Sequence, residues 1–197
     1  MIARLERRIQ VLEKQVPGFL GELEQMFGPR DPNFEFGRID PEPRWSPQIV
    51  FRREGRTWVN PSMDLSRVTG DIVDIHLTKK ALEDPDETLA RWQLAHECLH
   101  LIDPHKNPTN VLEEGLAVWY QNKNVPRQFA RQFADGEGPY AEAETLVKPF
   151  MDTLPGAIRR IRKEGRWAIG DIPANVLIQY CPELGSEAYK LAARFLS

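Results

Sequence analysis

Residues 94–104 read LAHECLHLIDP, two histidines four apart with a glutamate directly after the first, in an otherwise apolar run closed by a proline. On a helix, residues four apart lie one turn apart on the same face, so His96 and His100 can aim ring nitrogens at one point. Zinc takes imidazole nitrogens at about 2.0–2.1 Å, and two rings so placed meet that need. Glu97 lies beside the same face and reaches a water there without being a ligand. This is the mechanical content of H-E-x-x-H: two neutral imidazoles hold Zn²⁺, the ion lowers the pKa of a water toward about 7, and the glutamate takes its proton.

The flanking sequence supplies the helix. Asp84-Pro85-Asp86-Glu87 offers an N-cap, a proline at the first helical position and a capping-box glutamate. The pattern predicts a helix from Pro85 to Ile102, stopped by Asp103-Pro104. Upstream, Asp71–Thr78 (DIVDIHLT) alternates so that Val73, Ile75 and Leu77 share one face of a strand while Asp74 and His76 point the other way. Gln48–Arg53, Glu54-Gly55 and Arg56–Asn60 read as a hairpin. Downstream, Asn110-Val111-Leu112-Glu113 repeats the cap and capping box for a second helix reaching toward Asn122. Further helical starts fall near Pro126, Pro139, Pro155, Pro173 and Ser186. Strands come first and helices after, which is an α+β arrangement with a small antiparallel or mixed sheet and a mostly helical half.

Two segments precede the hairpin. In residues 1–27, Ile2, Leu5, Ile9, Leu12, Val16, Phe19, Leu23 and Met26 recur at spacings of three and four, an amphipathic helix interrupted or restarted at Pro17-Gly18. Residues 28–47 hold five prolines and two glycines and read as an extended connector rather than an element. Residues 48–197 then form the main domain.

A catalytic zinc needs a third protein ligand and an open position. Downstream candidates are His105, Glu113 and Glu114. His105 follows the proline that ends the helix, and the spacing and the glycine of the metzincin pattern are missing. Glu113 is occupied by the capping box. Glu114 points to another face, and Gly115 beside it lets a second backbone or a substrate approach.

His96-Glu97-Cys98-Leu99-His100 followed by Leu112-Glu113-Glu114-Gly115-Leu116-Ala117 resembles the gluzincin group of zinc metallopeptidases, which includes thermolysin and the zinc aminopeptidases. The likeness covers residues 71–122 and extends loosely to Tyr140–Val147 (YAEAETLV). It implies a zincin-like domain over 48–197, with Glu114, the glutamate before Gly in Glu-Gly-x-Ala, as third ligand. It further implies peptide or protein substrates, laid along a sheet edge formed by the strand before the metal helix, here Asp71–Thr78. The Gly-Ala-Met-Glu-Asn segment of the aminopeptidases is missing, so recognition of a free amino terminus is not implied.

Peptide hydrolysis also needs a donor to the oxyanion. Tyr140, after Gly138-Pro139, is the first candidate, with Tyr120 and His76 behind it. Cys98 is expected to face the core. Asp103 is either the partner of a ligand histidine's outer nitrogen or, more simply, a turn residue. Trp58, Trp92 and Trp119 read as core.

Composition narrows the partners. The net charge is −3, and the 26 Lys and Arg are spread along the chain apart from Arg159–Lys163 (RRIRK). That cluster, interleaved with Ile158 and Ile161, reads as the solvated face of an amphipathic helix, so no nucleic-acid partner is expected. Two cysteines do not make a disulfide scaffold. No run reaches the length of a membrane span and the N-terminus lacks a signal-peptide core, so the expectation is a soluble cytoplasmic protein. Two other functions stay open. His96, His100 and His105 resemble, one residue short, the three-histidine site of a single-strand RNA endonuclease family. Alternatively the metal serves a non-catalytic scaffold, against which the intact Glu97 speaks.

Overall fold

The computed structural model of the 197-residue chain describes residues 2–42, 47–53, 56–58, 71–104, 109–134, 138–165 and 167–195. Two helices, α1 (Ile2–Glu13) and α2 (Val16–Phe27), are followed by strands β1 (Phe34–Glu42), β2 (Gln48–Arg53), β3 (Arg56–Trp58) and β4 (Asp71–Thr78). Helices α3 (Lys79–Glu83), α4 (Thr88–His100), α5 (Val111–Lys123), α6 (Arg127–Ala134), α7 (Pro139–Val147), α8 (Leu154–Gly165), α9 (Ala174–Tyr180) and α10 (Glu187–Leu191) complete it. The class is α+β. No helix among the described residues is long and apolar enough to cross a membrane.

The sheet is mixed, in the order β1-β4-β2-β3. The β2–β3 hairpin forms as expected, with Arg53 opposite Arg56. β4 runs parallel to β1 on one side and antiparallel to β2 on the other. It is therefore an inner strand, and the expectation that Asp71–Thr78 offers a sheet edge to a peptide is wrong. Val73, Ile75 and Leu77 are fully buried, as their alternation predicts.

β1 replaces part of the expected connector. The pairing jumps from Phe36 opposite Val73 to Ile39 opposite Ile75, so Gly37 and Arg38 together face Asp74. This bulge breaks the period-two signal, which is why the strand does not read as one. The N–H of Arg38 donates to Asp74 Oδ1 at 3.1 Å instead of to the ladder. Pro41 is tolerated because β1 lies at the sheet's edge.

The N-terminal break falls at Lys14-Gln15, and Pro17 sits in the first turn of α2 rather than interrupting it. Leu12, Val16, Phe19, Leu20, Leu23 and Phe27 enter the same core as β4, α4, α5 and α8. Arg8, nearly buried, donates to the carbonyls of Leu82 in α3 and of Asp84 and Pro85 in the turn before α4.

The capping box expected at Asp84–Glu87 does not form. Asp84 ends α3, Asp86 Oδ1 accepts the N–H of Thr88, and Glu87 takes a left-handed conformation with φ 61°. α4 therefore starts three residues later than expected. It is buried on almost every side, and it carries Gln93, Glu97 and His100 inward with its apolar residues. Gln93 Oε1 accepts from both the N–H and the hydroxyl of Thr78, tying α4 to the end of β4.

Asp103, just past the end of α4, has no histidine partner among the described residues. Its Oδ1 accepts from Arg162 at 2.6 Å and its Oδ2 accepts the N–H of Ile169 at 3.1 Å. Arg162 also donates to the carbonyls of Phe27, Gly28 and Pro29, and its side chain is 8% exposed. One member of the basic cluster is thus a buried strut, while Ile158 and Ile161 face the core as expected. Arg162→Ala would leave Asp103 buried without its cation. The expected loss is ~3–5 kcal/mol of unfolding free energy, read from urea melts, with partial recovery on adding Asp103→Asn.

Candidate metal centre

α4 and α5 pack against each other, and their facing residues bring the site together. Asn110 caps α5 by accepting the N–H of Glu113 at 2.8 Å, as its position predicts. Glu113 does not complete the capping box with its side chain. Its Oε1 instead lies 2.7 Å from His100 Nδ1. A carboxylate only accepts, so Nδ1 carries the proton and Nε2 is turned toward Glu114, 3.7 Å from its Oε1. His96 Nε2 lies 3.3 Å from Glu114 Oε2.

One ligand atom from each of His96, His100 and Glu114 falls within 4.8 Å of the others, so these three residues can hold a metal ion. Four-coordinate ligation at about 2.0–2.1 Å sets neighbouring ligand atoms about 3.3 Å apart. The separations from His96 to Oε2 of Glu114, 3.3 Å, and from His100 to its Oε1, 3.7 Å, lie within a few tenths of an ångström of that value.

Two further observations fit a cation. Glu114 Oε2 is buried and lacks a hydrogen-bond partner, while Oε1 accepts from the Thr109 hydroxyl at 2.6 Å. A buried charged oxygen costs several kcal/mol unless something positive meets it, and a cation between Oε2 and the His96 ring nitrogen 3.3 Å away would do so. The field of the site is also strongly negative. Burial works against the charged form of His100, yet Glu114, then Glu113 and Glu97, outweigh it and hold its pKa at about 10. Burial likewise pushes the Glu114 carboxyl upward, but His100, His96 and the Thr109 hydroxyl together bring it below the ordinary value.

Glu97 is 3% exposed and lines the same cleft, of about 200 Å³, as His96, His100 and Glu114. Burial, more than any neighbour, raises its pKa, which strengthens it as a base. The floor and rim also include Pro47, Gln48 and Ile49 at the start of β2, Thr109, and Tyr140 at the N-terminus of α7. The Tyr140 ring centre lies 6.1 Å from that of His96 and 4.8 Å from that of Phe195. Burial first, then Glu114 and Glu97, push its hydroxyl up to about 12, so it remains a donor at neutral pH.

The other candidates stand elsewhere. Tyr120 is fully buried and donates to the Phe19 carbonyl and Glu22, so it is a core tyrosine. His76 sits on β4 near Asp40 and does not line the cleft. His105 lies outside the described residues. Cys98 and Cys181 are both buried free thiols, and burial raises the pKa of Cys98 far above the ordinary value. Trp92 and Trp119 pack half-buried against the core; the side chain of Trp58 lies outside the described residues.

The approach of α7 explains why a glycine follows Glu114. α7 crosses α5 so closely that a Cβ at position 115 would stand 2.9 Å from the Ala143 carbonyl carbon and 2.9 Å from Val147 Cγ1. Gly115→Ala must push α7 away and move Tyr140 with it. The expected cost is ~1–3 kcal/mol in chemical denaturation.

Thr109, which donates to Glu114, does not stand out in the sequence because it is an ordinary loop residue, and Glu113, weighed there as a ligand, instead bonds His100 Nδ1. No protein-family model matches the chain, and neither a curated protein nor a solved structure matches it.

Proposed function

We propose that the chain is a zinc-dependent peptidase of the gluzincin type, hydrolysing peptide bonds with Glu97 as general base. The observation that carries this reading is the convergence of His96, His100 and Glu114 in an open cleft directly beside the buried Glu97. A purely structural zinc is closed by four protein ligands and has no use for a neighbouring base. Among the described residues the cleft offers three ligands and a base.

His96, His100 and Glu114 would hold the zinc, with Glu113 fixing the tautomer of His100. When bound, zinc supplies Lewis acidity, lowering the pKa of water and polarising a carbonyl oxygen. Glu97 takes a proton from the attacking water as its oxygen bonds to the carbonyl carbon. The same carboxyl returns that proton to the nitrogen as the C–N bond breaks, so proton and charge balance over the cycle. Tyr140, neutral and at the rim, donates to the developing oxyanion.

Metal content, measured by elemental analysis on protein purified without chelators, tests this reading beside His96→Ala and Glu114→Ala. The expected result is about one zinc per wild-type chain and none in either variant. Wild type that takes up no zinc from a buffered excess would sink it. Screening of unstructured peptides follows, with activity expected to vanish on chelation.

A further inference from the structure

The loop that leads into α5 is held from an unexpected quarter. The N–H of Phe195 donates to the Thr109 carbonyl at 2.8 Å, the N–H of Val111 donates to the Ala193 carbonyl at 2.9 Å, and Asn110 bridges antiparallel to Arg194. Residues 193–195 therefore cross residues 109–111 as a miniature two-stranded ladder, separate from the main sheet. Its outcome is local: Thr109 has its backbone fixed, and its hydroxyl donates at 2.6 Å to Oε1 of Glu114. That bond rotates the carboxylate so that Oε2 alone is left without a hydrogen-bond partner, facing His96.

We propose that residues 193–195 act as a strap that fixes Thr109, and that Thr109 is a positioning residue presenting the free oxygen of Glu114 to the metal. This rests on the metal reading of the site, not on the identity of the substrate. A carboxylate without such a partner rotates about its last bond, and ordering it on binding weakens the metal. Outer partners of metal ligands commonly contribute ~10–100-fold in affinity. The ring of Phe195 packs against Tyr140, which ties the same strap to a second residue of the cleft. The backbone carries the Glu114 effect, because the donor is the N–H of residue 195.

Zinc affinity is measured on the whole chain by competition with a chromogenic chelator. Thr109→Val keeps the shape and removes the hydroxyl; Thr109→Ser restores it. Phe195→Pro removes the N–H, and Phe195→Ala keeps it. Thr109→Val is expected to bind zinc ~10–100-fold more weakly, with Thr109→Ser within about threefold of wild type. Phe195→Pro should weaken zinc in the same direction and Phe195→Ala should not. Unfolding of the zinc-free proteins, followed in parallel, identifies any variant that fails to fold, and the Thr109 pair then carries the comparison. Thr109→Val binding as tightly as wild type overturns the positioning role. Weak binding by Thr109→Val with wild-type binding by a folded Phe195→Pro overturns the strap. Wild type that binds no zinc overturns the metal reading itself, and with it the proposal.

Discussion

Glu97→Gln is expected to retain zinc at about wild-type stoichiometry and to lose peptide hydrolysis by ~10²–10⁴-fold. The two outcomes separate because Glu97 lies outside the group whose ligand atoms converge, yet shares the cleft with it. Glutamine has the size and shape of glutamate, so the packing of α4 survives; what disappears is the capacity to accept a proton. Desolvation is the largest influence on the Glu97 carboxyl and raises its pKa. The folded chain therefore holds this charge at a cost, and removing it should leave the unfolding midpoint of the zinc-free protein unchanged or higher. A residue kept for packing would show the opposite pattern, with stability lost and turnover spared. Full hydrolytic activity in Glu97→Gln excludes the base, and loss of zinc would make the residue part of the coordination instead.

The parts legible in sequence are those where one local rule operates alone. His96 and His100 come together because a helix returns to the same face after four residues, and nothing in α4 disturbs that period. Asn110 caps α5 because a short side chain at that position finds an orphan N–H. Val73, Ile75 and Leu77 are buried as period-two alternation requires.

Sequence reading fails where a tertiary partner competes with the local rule. The side chain of Glu113 goes to His100, a stronger and buried partner, in place of the capping box. The Asp84–Glu87 signal gives way to α3 on one side and to the clasp of Arg8 on the other. β1 is hidden by its bulge and its edge proline. Arg162 looks like its solvated neighbours along the chain, and only the arrival of Asp103 and three carbonyls distinguishes it. Thr109 has no pattern at all, because what defines it is a strap arriving from more than 80 positions away.

Removing residues 1–27 is expected to abolish cooperative folding rather than to trim an appendage. Leu12, Leu23 and Phe27 are fully buried, and Val16, Phe19 and Leu20 are at most 5% exposed. Burying each such side chain stabilises by ~1.5–3 kcal/mol, so the six together reach on the order of 10 kcal/mol. That equals the whole net stability of an ordinary domain, ~5–15 kcal/mol. The loss would not stop at area. Without Arg8, α3 and the turn before α4 lose their donor to Leu82, Asp84 and Pro85, and Tyr120 on α5 loses Phe19 and Glu22. Both helices that carry His96, His100 and Glu114 would then lack support on one side, so zinc uptake should fall with folding even though none of the three is touched. Near-ultraviolet circular dichroism and a thermal melt of the truncated chain, with and without excess zinc, measure this. A sharp transition near the wild-type midpoint would mean that α1 and α2 only cover a core that residues 28–197 complete among themselves.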